Sequence, residues 1–157
     1  MRCPEQVNTF HDLSQLKRLS VQSGSVFRMK LFPSDGITPK NPGDTSRNKY
    51  FVVIGQTEDS LLVAALVINT DINRNLAYDI SPFQHEIRAS EYGFLNGRDR
   101  YIDCYRIQEY DLERICREAE FKGIVSDADV QAAVTLTGRS PVNKPAVLKR
   151  YGFNTCK

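Results

Sequence analysis

Two apolar runs, YFVVIG at 50–55 and SLLVAALVINT at 60–70, are separated only by QTED. Neither run alternates, and both are rich in β-branched residues, so each reads as a strand buried on both faces. A link this short cannot carry a parallel crossover, so the pair must be antiparallel. A chain with that hairpin at its centre has to build the rest of its fold around a sheet.

The flanking segments agree. SVFRMKLF, 25–32, alternates: Phe27, Met29 and Leu31 face one way, Arg28 and Lys30 the other. It predicts a half-buried strand with a basic outer face, ended by Pro33. PSDGITPKNPGDTSRNK, 33–49, holds three prolines and two glycines and predicts a long loop, basic at its end through Arg47 and Lys49. After an irregular polar stretch at 71–82, FQHEIRAS, 83–90, predicts another strand. Turn chemistry follows at Gly93 and Asn96–Gly97. DLERI, 111–115, is a helical turn. Ser126, three residues before Asp129, resembles a capping box opening a helix that Gly138 closes, with Val130, Ala133, Val134 and Thr137 on its core face. One more helical turn is expected before Gly152. At the other end, Phe10, Leu13, Leu16 and Leu19 share a helical stripe over 8–21. About five or six strands, a long loop after the first and a helix near the end predict a mainly β fold with flanking helices, a small antiparallel barrel.

At 157 residues, 41% hydrophobic and 25% charged, the chain suits one domain with its own core. A net charge of +2 gives no global basic field, so any nucleic-acid site must come from local clustering. No apolar run approaches a membrane span, and MRCPEQVNTFHDLSQ has no signal-peptide core. The four cysteines, Cys3, Cys104, Cys116 and Cys156, show no C-x-x-C spacing. They read as reduced thiols of a cytoplasmic protein, Cys104 and Cys116 as core filler. His11 and His85 stand in no recognisable motif. No metal or cofactor is expected.

YIDCYRIQEYD, 101–111, predicts a strand with unusual content. An acid and an arginine lie among its tyrosines, and its apolar set is clean only at Ile102 and Cys104. Two readings stay open, the wall of an active site and a barrel strand with a wet outer face.

The order of the pieces resembles the MazF/PemK family, the toxin halves of bacterial toxin–antitoxin pairs. The resemblance rests on Gly-x-Val-x-x-x-x-Leu in GSVFRMKLF, the loop into RNKYFVVIG, the strand LLVAALV, HEIRASEYGF, and Ile-x-x-x-Asp in YRIQEYDLERI, and covers about 24–138. It leaves 1–23 as an N-terminal helical extension and 139–157 as a tail. The resemblance implies an SH3-like barrel that dimerises and cleaves single-stranded RNA without a metal. The ribose 2′-hydroxyl would attack the adjacent phosphate, which needs a base, an acid and positive charge around the phosphorane. The family's arginine before the second strand falls on Lys49, with Arg47 two residues earlier on the same face. Its hydroxyl at the end of the next strand falls on Val67, and Thr70 is the nearest hydroxyl. Its paired groups on the 101–111 strand fall on Asp103 and Tyr105. The resemblance then implies Lys49 or Arg47 as phosphate and leaving-group residues, Asp103 as base, Tyr105 as hydrogen-bond donor or stacking surface, and Thr70 as a positioning group. Arg28, Lys30 and Lys40 would line the RNA path. An antitoxin protein is the implied partner. A second class of function stays open, a noncatalytic MazF/CcdB-like barrel that acts by binding a protein. For each residue a plain reading stands beside the functional one: Arg28 and Lys30 as a wet strand face, Arg47 and Lys49 as solvated charges, Tyr101 and Tyr105 as packing, Asp103 as a partner of Arg100, Arg106 or Lys30.

Overall fold

A computed structural model describes residues 17–39, 41–72 and 79–153. Its strands are β1 (Ser25–Leu31), β2 (Arg47–Gln56), β3 (Leu62–Asn69), β4 (Gln84–Ile87), β5 (Arg100–Asp103), β6 (Gln108–Asp111) and β7 (Glu120–Ile124). Its helices are α1 (Leu112–Glu118), α2 (Asp127–Arg139) and α3 (Pro145–Arg150). The strands form one antiparallel sheet, ordered β4-β5-β3-β2-β1-β7, with β6 also on β3. It curls into a half-barrel. The fold is mainly β with a few helices, as the central hairpin requires.

The two faces of the sheet carry separate cores, because strand side chains alternate. One face holds the odd-numbered residues Phe27, Met29, Leu31, Phe51, Val53, Val63, Ala65 and Val67, closed by Tyr110, Leu112 and Ile115. The other holds Val26, Val52, Ile54, Leu66, Ile68 and Ile102, covered by Val130 and Ala133 of α2 and Leu148 of α3. That double burial is why 50–55 and 60–70 do not alternate.

α2 starts as its sequence predicts. The Ser126 hydroxyl accepts the Asp129 N–H at 3.2 Å. The helix runs one residue past Gly138, which lies inside it rather than ending it. His85 is not isolated: its Nε2 lies 2.8 Å from Asp129 Oδ1, and the Tyr92 hydroxyl binds the same carboxylate, tying β4 to the head of α2. Cys104 is fully buried, which pushes its thiol up to about 12, and Cys116 packs against the other core. Of the predicted first helix, residues 17–20 are helical, and Phe10, Leu13, Leu16 and His11 lie outside the described residues. Leu19 is exposed; Val21 fills the core in its place.

Three expectations need correction. β2 begins at Arg47, so Arg47 and Lys49 are strand residues and not the end of a loop. The sequence predicts no strand at 120–124, where β7 runs; its exposed Phe121 and Ile124 hide the alternation. The strand predicted over 101–111 is broken. Ile102 lies opposite Ile68 and Gln108 opposite Ala65, so β3 advances three residues while the facing chain advances six. The surplus bulges out at 104–107. The C-terminal segment holds it there: the Ser140 hydroxyl donates to the Tyr105 carbonyl, and Asn143 Oδ1 accepts the Ile107 N–H at 2.9 Å. Ser140 and Asn143 are buried, so the tail is part of the core that shapes the bulge.

Candidate functional site

The odd face changes character along its length. On β2 the inward positions run Val53, Phe51, Lys49, Arg47, and on β3 Val63, Ala65, Val67, Asn69. Both strands turn polar at the same level, because Tyr50 pairs with Ile68 and so sets Lys49 beside Asn69. Met29 of β1 stands opposite Lys49 on the other side. The polar end of this core opens into a cleft of about 470 Å³.

The cleft is lined by Arg47 and Lys49 from β2, Asn69 and Thr70 from the end of β3, Asp103 from β5, and Tyr105 and Arg106 from the bulge. Its far wall is Gly36–Pro39 of the loop after β1. Gly36 has φ +91°, a conformation that L side chains rarely adopt, and a Cβ there would also push aside the end of the Gln108 side chain, so glycine suits the turn that brings the loop to β6.

Lys49 is 8% exposed. Its Nζ donates to Asn69 Oδ1 at 2.6 Å. Burial lowers its pKa to about 8, the positive charges of Arg47 and Arg100 push the same way, and Asp103 opposes them. At pH 7 it is still protonated in roughly nine molecules of ten, with a proton far more easily given up than that of an ordinary lysine. Asp103 Oδ1 accepts from Gln84 Nε2 at 2.9 Å and from the Tyr105 N–H at 3.0 Å; neither bond uses Oδ2. The second of these bonds turns the chain out of β5 and carries Tyr105 to the cleft. Tyr105 also packs on Phe83, ring centroids 5.6 Å apart.

Five of the sequence-predicted residues therefore meet in one cleft: Arg47, Lys49, Thr70, Asp103 and Tyr105. Arg106, which strict alternation would turn away from Asp103 and Tyr105, joins them because the bulge cancels the alternation. Arg28 and Lys30 are exposed on the even face, as their alternation predicts. Arg28 lines a second, adjoining cleft, and Lys30 lines neither. Lys40 lies outside the described residues. Sequence reasoning missed Asn69, Gln84 and Arg100. Asn69 had a readable signal, a polar residue at an inward position of an otherwise apolar strand, directly across from a lysine in the same situation. Among the described residues, no group of three or more His, Cys, Asp or Glu is gathered as a metal site would need, and no helix is long and apolar enough to cross a membrane.

No family model and no characterised protein matches this chain.

Proposed function

We propose that this protein is a MazF-like endoribonuclease on a small SH3-like barrel, cleaving single-stranded RNA at the Lys49 cleft by attack of the ribose 2′-hydroxyl. One observation carries the reading: a desolvated lysine with a pKa of about 8 shares a cleft with a carboxylate, a second cation and an aromatic ring. These are the groups that the chemistry requires. Asp103 takes the 2′-hydroxyl proton. The 2′-oxygen bonds to phosphorus as the bond to the 5′-oxygen breaks. Lys49 delivers its proton to that departing oxygen. Arg47 faces the charge that accumulates on the nonbridging oxygens, and Tyr105 offers a surface for a base. The products are a 2′,3′-cyclic phosphate and a 5′-hydroxyl, and the need for a 2′-hydroxyl restricts the substrate to RNA.

The test is incubation of purified protein with single-stranded RNA in EDTA. Cleavage is expected, with cyclic phosphate ends, and Lys49→Met is expected to slow it by about 10²–10⁴-fold. The rate is expected to fall as pH rises through about 8, where Lys49 loses the proton it must donate. Intact RNA in the presence of folded protein sinks the proposal. It would favour the second reading, a barrel of the same kind that binds a protein such as an antitoxin. That reading draws support from Asp103, whose bonds to Gln84 and Tyr105 give it a structural task without any reaction.

A further inference from the structure

Val52 and Ile54 of the even face are buried in one core with residues of α2 and α3. Toward the start of β2 that face carries Arg28, Asn48, Tyr50 and Arg100, around a second cleft of about 310 Å³. This cleft shares Arg47, Lys49 and Thr70 with the first, so the two adjoin at the ends of β2 and β3.

Its construction points to an anion. The Arg100 guanidinium lies over the Tyr50 ring, 4.8 Å from the centroid. Arg100 Nε is buried and has no hydrogen-bond partner among the described residues. Among the described residues neither Arg28 nor Arg100 makes a salt bridge. Two carboxylates lie nearby without pairing with them: Glu120, opposite Arg28 across β1 and β7, feels the Arg28 charge but bonds to Lys122 at 2.8 Å, and Asp103 accepts from Gln84. Among the described residues no carboxylate lines the cleft. A planar guanidinium already fixed against a ring loses little freedom when it takes a phosphate. The charges of Arg100 and Lys49 also act on each other, so both faces present one continuous field.

We propose that Arg28 and Arg100, seated beside Tyr50, form a second phosphate subsite. It takes a phosphodiester flanking the one at Lys49, so a single RNA strand is gripped on both faces of the sheet across the ends of β2 and β3. This rests on the RNA reading of the first cleft. The subsite is distinct from it, because Arg28 and Arg100 reach no reacting atom and act on affinity alone.

The experiment measures binding of the full chain to a fluorescent single-stranded decamer with 2′-deoxy substitution, which blocks cleavage, across a salt series. Arg28→Gln and Arg100→Gln are each expected to weaken binding about tenfold. Each is expected to reduce the slope of log affinity against log salt by about 0.7, the release expected for one lost single-strand phosphate contact. Arg100→Lys is expected to keep the slope and lose part of the affinity. Arg28 is exposed, so its variant keeps the test informative even if Arg100→Gln fails to fold. Wild-type affinity and slope in Arg28→Gln and Arg100→Lys would overturn the subsite. If Lys49→Met still weakens binding in that case, the first cleft stands without the second. A wild-type protein that binds no decamer overturns both readings together.

Discussion

Two charged clusters border the loop after β1, and they are built on opposite principles. At the base of the loop, Asp35 receives two Arg114 N–H groups at 2.6 and 2.8 Å and the Phe32 N–H at 2.8 Å. Arg114 also reaches Glu118 at 3.0 Å and the Lys30 carbonyl at 3.2 Å. The Tyr110 hydroxyl adds a bond to the Asp35 carbonyl at 2.9 Å. Every charge there has a partner, and the Arg114 hydrogen bonds hold Asp35 below its ordinary pKa. On the cleft side, Lys49 has one neutral acceptor, two cationic neighbours and a weaker opposing carboxylate, Asp103. The first cluster favours the folded state; the second opposes it. A chain that keeps an undercompensated lysine out of water, beside the same loop as a fully compensated arginine, retains it for something other than stability.

The largest expected effect lies at the compensated end. Asp35→Asn leaves Arg114 with only the exposed Glu118 as counter-charge, and the expected loss is about 2–3 kcal/mol in chemical denaturation. The pH dependence fixes the sign. Asp35 has a folded pKa below its unfolded one, so its contribution is present above about pH 4 and is lost as pH falls through the folded value. The gap between wild type and variant is therefore expected to close in acid. A gap that stays constant as the pH falls from about 4 to the onset of acid unfolding would show that the loop is held by packing rather than by the ion pair.

Most of the fold was legible in the sequence, and the reasons are local. Apolar runs, Pro33 and the Ser126 cap are signals that a few neighbouring residues carry. Long-range placement was harder to read. The break after Asp103 depends on Ser140 and Asn143, far along the chain, which supply partners for Tyr105 and Ile107 that the ladder no longer supplies. Nothing within YIDCYRIQEYD reveals those partners. The choice between active-site wall and wet strand is also too simple, since β5 supplies Asp103 while the bulge supplies Tyr105 and Arg106. Of the site, the residue types were readable and the reason for their behaviour was not. Lys49 looks like a loop charge until β2 is seen to begin at Arg47 and turn it inward.

At the undercompensated end the sign reverses. Lys49 has a folded pKa of about 8 against an unfolded value near that of free lysine. Its cost is therefore full below pH 8, roughly 3 kcal/mol as an upper figure, and it shrinks as the folded state releases the proton between pH 8 and about 10.5. Lys49→Met removes that cost and also the bond to Asn69, worth about 1 kcal/mol. The expected result is a net gain of about 1–2 kcal/mol at pH 7 that fades by pH 10.5, measured by urea denaturation at several pH values. A variant less stable than wild type at pH 7 would place Lys49 with Arg114, as a structural charge.

The smallest effect separates the two causes acting on Lys49. Burial is the larger and the Arg47 charge the second. Burial persists in Arg47→Gln, so the pKa of Lys49 is expected to rise by only about half a unit, the order expected for one like charge near a protein surface. The readout is the alkaline limb of the cleavage profile, or the Nζ resonance of Lys49 where cleavage is too slow. Movement by much more than a unit would mean that the cleft is tuned chiefly by charge. The lysine would then respond strongly to any bound phosphate, which brings the opposite sign to the place Arg47 occupies. Movement by half a unit or less makes the cleft a desolvation device. Its proton then stays mobile with a phosphate in place, as the proposed transfer to a departing 5′-oxygen requires.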